Sequence, residues 1–202
     1  MVLISTSGIH LQTKLLKANY DAKTVIENKK KNKKALQESL GLEVDEHKMV
    51  IGLISRLTNQ KGLDLVNDVI PGVMDGNTQV VVLGTGDSWY EEAFRSYENQ
   101  YKGSFCAYIA YDENVAHNIY SGCDALLVPS RFEPCGLTQL IAMRYGAIPI
   151  VRETGGLRDT VWHITCLIIQ VTDLHLIDMK ADFCMIRSIE QRHATLRIEQ
   201  AG

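Results

Sequence analysis

The sequence lacks the features that mark several whole classes of protein. Among its 202 residues are only 4 prolines and 7% aromatic residues, while 46% are hydrophobic, so a disordered, collagenous or coiled-coil chain is excluded. Its apolar runs are far shorter than the ~20 residues that a membrane-spanning helix needs. Lys plus Arg number 21 against 24 for Asp plus Glu, and this net charge of -3 gives no general signal for nucleic acid.

The sequence is also poor in signals for disulfides, metals and secretion. Its 5 cysteines form no Cys-x-x-Cys pair, and no group of Cys and His has the spacing of a zinc site. We interpret the cysteines as reduced thiols of a cytoplasmic protein, and the lack of zinc-ligand spacing predicts a protein without a metal site. The first residues, from Met1 to Ser5, have no basic flank and too short an apolar stretch for a signal peptide.

Composition divides the chain into three parts. Residues 1–48 are polar, and their lysine-rich stretch from Lys29 to Lys34 leads to Gly41, a pattern typical of a surface helix that ends at a glycine. An anion-binding patch is the alternative, but the acidic overall charge favours a solvated helix face. Residues 162–202 carry no motif, and only residues 162–169 suggest one further strand.

Residues 49–161 alternate between apolar runs and amphipathic segments. The pattern predicts strands over 49–57, 79–83, 104–111, 124–129 and 147–151, and helices over 63–74, 88–101 (capped by Ser88), 113–122 and 137–146, with another opened by Gly155 and Gly156. This α/β alternation predicts a parallel sheet with helices on both faces. Since ligands of such sheets bind beyond the carboxyl ends of the strands, the strand-to-helix loops are the candidate site.

Two of these loops carry moderate signals. Arg56 and Lys61 flank a polar turn directly after the first strand, where both could hold an anionic group. Two exposed solubilising residues fit the spacing equally well, although Gly62 before a helix favours the anion site. The glycines of Gly84-Thr85-Gly86, after the second strand, lack the third glycine of a dinucleotide fingerprint and indicate only a tight turn.

The most specific loop covers residues 129–138, with the sequence PSRFEPCGLT. Pro134 fixes the backbone after Glu133, and Gly136 lets a ligand approach the amides that begin the next helix. Glu133 could there stabilise positive charge developing on a sugar, or it could only interact with the positive amino end of the helix dipole. Cys135 could be a nucleophile, but no histidine stands in a recognisable relation to it, which favours a small loop residue.

Four motifs follow one another in a specific order and spacing. They are SRLTNQKGLDL from Ser55, GTG from Gly84, VPSRFEPCGLTQL from Val128 and GGLRDTV from Gly155. Together they resemble bacterial glycogen synthases, the starch synthase type that uses ADP-glucose. The resemblance covers residues 19–161, whereas residues 1–17 and 162–202 do not resemble the family.

The resemblance implies the C-terminal, Rossmann-like half of a two-domain glycosyltransferase of the GT-B architecture. Such enzymes transfer glucose with retention from ADP-glucose to the non-reducing end of an α-1,4-glucan, and they use no metal or other cofactor. Their N-terminal domain supplies a Lys-x-Gly-Gly loop and much of the acceptor surface, so we expect this chain alone to be inactive. The alternatives are a non-catalytic remnant that binds ADP or ADP-glucose, and a fragment that binds a partner.

The resemblance also implies roles for charged residues in the motifs. Arg56 and Lys61 would hold the diphosphate and stabilise ADP as it leaves, and Glu133 would contact the donor glucose near the reacting carbon. Many related retaining transferases carry a second glutamate eight residues after the first. Here that position is Ile141, which favours the glycogen and starch synthase branch.

The remaining implied contacts concern the nucleotide. The backbone amides of Gly136, Leu137 and Thr138 would bind the distal phosphate. Tyr111, expected at the end of the third strand, would stack its ring on the adenine.

Overall fold

A computed structural model describes residues 15–21 and 23–161, together with the backbone of residues 168–169. Predictions that concern residues 1–14, 162–167 and 170–202 lie outside the described residues. Within the described part of the chain, no helix is long and apolar enough to cross a membrane.

The described residues form six helices and six strands in alternating order. The helices are α1 (Val25–Ser39), α2 (Leu63–Val73), α3 (Ser88–Gln100), α4 (Glu113–Gly122), α5 (Thr138–Arg144) and α6 (Gly155–Thr160). The strands are β1 (Met49–Ile54), β2 (Thr78–Leu83), β3 (Phe105–Tyr108), β4 (Ala125–Val128), β5 (Ile148–Arg152) and β6 (Ile168–Ile169). A 3-10 turn, Asn59–Lys61, precedes α2.

The six strands form one parallel sheet in the order β3-β2-β1-β4-β5-β6. This is the doubly wound order, in which the direction of winding reverses between β1 and β4. The central strands are apolar because the sheet is covered on both faces, and Val50, Val81 and Leu126 have no exposed surface. The predicted Rossmann-like α/β fold is therefore confirmed.

Several predicted boundaries were wrong for local reasons. The first strand ends at Ile54, and Leu57 is instead buried in the loop, where it forms an isolated bridge with Gly86. The third strand ends at Tyr108, which leaves Tyr111 in the following loop. Ser88 is the first residue of α3 and not its cap, because Asp87 occupies the N-cap position.

A proline in the last turn of α2 is compensated by a contact from α3. Pro71 has no N–H, so the carbonyl of Asn67, four residues earlier, loses its usual helical donor. The hydroxyl of Tyr97 donates to that carbonyl at 3.0 Å. The substitution of one donor for another satisfies the carbonyl and joins the two helices.

The lysine-rich helix α1 is not simply a solvated face, and the prediction is wrong for two of its lysines. Lys33 is 7% exposed. Its Nζ atom lies 2.7 Å from Asp124 Oδ2 and 3.1 Å from the carbonyl oxygen of Glu46. The same Asp124 oxygen accepts the Val50 N–H at 2.8 Å, so this ion pair fixes α1 onto the amino ends of β1 and β4.

Lys29 also points inward, towards the ends of two other helices. Its Nζ donates to the carbonyls of Tyr120, Ser121 and Tyr145 at 3.2–3.4 Å. Burial lowers its pKa below the ordinary lysine value, although the neighbouring Cys123 and Asp124 act in the opposite direction. Helix α1 therefore belongs to the same compact unit as the sheet.

Two adjacent lysines on α1 allow a matched test of this anchor. Lys33→Ala should lower the free energy of unfolding by about 1–3 kcal/mol, because Asp124 loses its cation in a partly buried position. Lys34→Ala changes helix propensity equally, but the Lys34 side chain is 66% exposed. This substitution should therefore change the free energy of unfolding by no more than about 0.5 kcal/mol. Urea titration measures both values. Equal losses would show that the Lys33 pair contributes nothing.

Candidate functional site

The candidate site lies where the winding of the sheet reverses. The β1 loop (residues 55–62) and the β4 loop (residues 129–137) leave the carboxyl ends of adjacent strands. In open parallel sheets this is the crevice where ligands bind. The two most informative loops of the sequence are therefore neighbours in the structure.

One ion pair joins the two loops. Lys61 Nζ lies 2.6 Å from Glu133 Oε2, and the two side chains are only 19% and 17% exposed. The hydroxyl of Ser130 donates to the same carboxylate oxygen at 3.1 Å. The helix-dipole interpretation of Glu133 is wrong, because α5 begins only at Thr138, and the carboxylate contacts Lys61 instead.

Arg56 and Tyr111 reach the same edge of the sheet without joining this cluster. Arg56 is exposed, and among the described residues it makes no ion pair. Tyr111 is 92% exposed in the loop that follows β3. Since β2 lies between β3 and β1, the strand that precedes Tyr111 ends about 10 Å from β1, two ordinary strand spacings away.

The end of the β4 loop turns its backbone into α5. Gly136 has a φ of +63°, a conformation that favours glycine, and Thr138 is the first residue of the helix. The first amides of a helix have no acceptor within it, so the N–H groups here can serve a ligand. Leu137 is 64% exposed between them.

The glycine pair of the last motif, Gly155-Gly156, packs against the backbone of the β4 loop. The N–H of Gly156 donates to the carbonyl of Glu133 at 2.9 Å. A Cβ atom on Gly155 would approach that carbonyl oxygen to 2.6 Å, and one on Gly156 would approach the Cys135 carbonyl oxygen to 2.6 Å. From the sequence the pair indicated only the start of a helix. In the structure it lets α6 pack directly against the loop that carries Glu133.

Sequence reasoning missed several residues that shape the site. Ser130 is 1% exposed beneath Glu133, and Arg131 forms an ion pair with Asp64 in the first turn of α2. Gln139 is fully buried, and its Nε2 donates to the Gly136 carbonyl at 2.7 Å and to Thr160 Oγ1 at 3.0 Å. The Arg131–Asp64 and Gln139–Thr160 contacts join residues that are far apart in sequence, whereas Ser130 and Gln139 also contact residues only three positions away. The motifs gave no further signal, so only the polar character of these side chains could have suggested a role.

The charges around the site shift the pKa of a buried tyrosine, Tyr90. Burial raises the pKa of Tyr90 on α3, and the nearby Asp64 carboxylate raises it further, while Arg131 lowers it. In the described part of the chain, no cluster of three His, Cys, Asp or Glu side chains could hold a metal ion.

Known proteins match the part of the chain that contains both loops. A family model described as Glycosyl transferases group 1 matches residues 32–172, which is well over half of the chain. The chain belongs to the group 1 glycosyl transferases. The match extends past Val161, the last residue that the motifs had related to a known family.

Relatives of this glycosyl transferase are named glycogen synthase. That of Lachnospira eligens is 55% identical over 143 residues, which cover 71% of this chain and 30% of the relative. That of Bacillus cereus is 49% identical over 159 residues, which cover 78% of this chain and 33% of the relative. The chain thus spans about a third of the length of these relatives.

A solved structure gives the same assignment. The catalytic domain of starch synthase IV from Arabidopsis thaliana, bound to ADP and acarbose, is 40% identical in sequence and superposes with a TM-score of 0.71. The alignment covers 76% of this glycosyl transferase and 32% of the plant chain. Family membership and fold are therefore supported independently by sequence and by structure.

Two glycines with the same backbone conformation test the contact between the loops. Gly62 has a φ of +68°, and a Cβ there would lie 2.2 Å from the Pro129 carbonyl oxygen at the start of the β4 loop. Gly41 has a φ of +69° with no atom within 4 Å. Gly41→Ala should cost about 1–2 kcal/mol of unfolding free energy from the backbone alone. Gly62→Ala should cost at least about 2 kcal/mol more, because the loops must separate.

Chemical denaturation of the two alanine variants measures the difference. Similar losses for both would mean that the β1 loop and the β4 loop are not in the close contact described.

Proposed function

We propose that this chain is the ADP-glucose-binding part of a glycogen synthase. The complete enzyme would transfer glucose, with retention, from ADP-glucose to the non-reducing end of an α-1,4-glucan. The observation that carries the proposal is the Lys61–Glu133 pair, which places a cation and a carboxylate together in the crevice between β1 and β4. The names of the relatives and the ADP bound to the plant starch synthase support the choice of donor.

The donor diphosphate needs positive charge at this edge of the sheet. Arg56 is exposed and can offer paired N–H groups to phosphate oxygens, while Lys61 supplies a point charge beside the β4 loop. The amides of Gly136, Leu137 and Thr138 would hold the distal phosphate. These groups would also stabilise the charge on ADP as the bond to glucose breaks.

Glu133 would act on the sugar rather than on the nucleotide. Its carboxylate is fixed by Lys61 and by the Ser130 hydroxyl, so it needs no reorganisation when charge develops. A negative group held near the anomeric carbon would stabilise the oxocarbenium-like character of glycosyl transfer. The reaction needs no metal in this scheme.

Tyr111 would complete the donor site at a distance from the phosphates. Its ring is almost fully exposed, so a purine can stack on it without displacing any packed side chain. The glucan acceptor would bind opposite these loops, on the domain that the resemblance assigns to the complete enzyme.

The 202-residue chain should bind ADP but should not extend glycogen. All the proposed donor contacts come from one sheet, whereas transfer needs an acceptor held against the anomeric carbon and water excluded from it. Calorimetric titration with ADP, UDP and ADP-glucose measures binding, and we expect ADP to bind more tightly than UDP. Incubation with labelled ADP-glucose and glycogen measures transfer. Equal or absent binding of ADP and UDP would contradict the proposed donor, and robust incorporation of label would contradict inactivity.

Removing either proposed phosphate cation should weaken ADP binding. Arg56→Ala should cost about 1–3 kcal/mol, the loss expected for charge-assisted hydrogen bonds. Lys61→Ala should cost more, because it also leaves the Glu133 carboxylate without its cation beside the diphosphate. AMP, which lacks the distal phosphate, should lose less in both variants.

Lys102→Ala is the matched control, since this lysine is exposed near the amino ends of the strands. Calorimetry should give it the affinity of the parent chain. Parent-like ADP affinity in both Arg56→Ala and Lys61→Ala would identify these cations as ordinary surface residues.

A further inference from the structure

Arg131 stands in the most specific motif of the chain, two residues before Glu133, and its guanidinium is turned towards Asp64. This carboxylate lies in the first turn of α2, three residues after Lys61. The two side chains are partly exposed, at 42% and 32%, and they form an ion pair. Because Asp64 lies in α2, this pair ties the β4 loop to α2.

The backbone around Arg131 is held on both sides by neighbouring loops. Its N–H donates to the carbonyl of Gln60 at 2.9 Å, and its carbonyl accepts from the Thr154 hydroxyl at 3.3 Å. The side-chain amide of Gln60 also lies 3.4 Å from the carbonyl of Phe132. Side chain and backbone thus fix Arg131 against the same segment of chain that carries Lys61.

Two ion pairs therefore join the same two segments, and their polarity is opposite. On the side of β1 and α2, the cation Lys61 is followed by the anion Asp64. On the side of β4, the cation Arg131 is followed by the anion Glu133. A shift that brought Lys61 towards Arg131, or Asp64 towards Glu133, would place like charges together, and such juxtapositions are costly.

We propose that Asp64 and Arg131 are positioning residues that set the register of the β4 loop and so place the Glu133 carboxylate on Lys61. The pair does not itself hold the donor. This inference rests on the proposed function in one respect, namely that Lys61 contacts the diphosphate of ADP.

The two possible roles of Arg131 predict different results in ADP binding. If Arg131 were a phosphate ligand, Arg131→Ala would weaken binding, while Asp64→Asn would release the guanidinium and tighten it. Positioning residues act as a unit. Asp64→Asn and Arg131→Ala should therefore both weaken ADP binding, each raising the dissociation constant by about 3-fold or more. The double variant should match the single variants.

The effect should also depend on Glu133. In a Glu133→Gln background the carboxylate that the pair positions is gone, so Asp64→Asn and Arg131→Ala should each change ADP affinity by less than about 2-fold. Arg131→Lys keeps the positive charge and should recover most of the parent affinity. Glu46→Gln, which removes an exposed ion pair with Lys30 elsewhere, is the control and should leave ADP affinity unchanged.

Calorimetry with ADP measures these constants, and amide hydrogen exchange supplies a readout without nucleotide. The amides at positions 131 and 156 bond to the β1 loop and to Glu133, so their protection should fall about 10-fold or more in Asp64→Asn and stay unchanged in Glu46→Gln. Effects of opposite sign, effects that persist in the Glu133→Gln background, or unchanged protection would overturn the inference. If the parent chain fails to bind ADP, the proposed function fails, while hydrogen exchange still decides whether the pair holds the loop.

Discussion

A carboxylate that is mostly buried is tolerable only beside a cation, and the contact between Lys61 and Glu133 meets that requirement. The two residues are 72 positions apart in sequence, so their meeting depends on the sheet order that makes β1 and β4 neighbours. Other features of this edge bring the two loops close enough for the pair to form. Gly62 lets the β1 loop pass against Pro129, and Gly156 lets α6 support the carbonyl of Glu133.

The two edges of the sheet use charge in different ways. At the amino ends, several charged and amide side chains bind other groups of the protein. Lys33 pairs with Asp124, and the buried Gln37 Nε2 donates to Gln79 Oε1 at 2.8 Å. At the carboxyl ends two ion pairs form as well, Lys61 with Glu133 and Arg131 with Asp64, but Arg56 and Tyr111 remain exposed. Internal pairing at one edge fixes the strands, and this rigidity lets polar groups at the other edge keep their positions without a ligand.

The fold could be predicted from the sequence because its signals are local. Apolar runs such as 79–83 and the amphipathic segment at 113–122 have their own periodicity, and the chain adopts those elements almost as predicted. The inward direction of Lys29 and Lys33 could not be predicted, since the carbonyls that accept from Lys29 and the Asp124 carboxylate that pairs with Lys33 lie about 90 residues or more away. The candidate site likewise has features that the sequence predicts and features that it does not. Its loops were located from their motifs, whereas the contact of Ser130 with Glu133 inside the β4 loop and the pairing of Asp64 with Arg131 between segments are seen only in the structure.

Under the proposed function, phosphate oxygens and the Glu133 carboxylate both require Lys61, whose ammonium carries three N–H donors. The carboxylate also keeps the Ser130 hydroxyl at 3.1 Å, so it retains a hydrogen bond while Lys61 is shared. Because Arg131 and Gly156 hold the loop backbone independently of Lys61, the carboxylate would stay in place after this exchange. In that scheme Lys61 would neutralise the diphosphate while Glu133 would present its charge to the sugar, a division of roles that one cation and one fixed carboxylate are enough to provide.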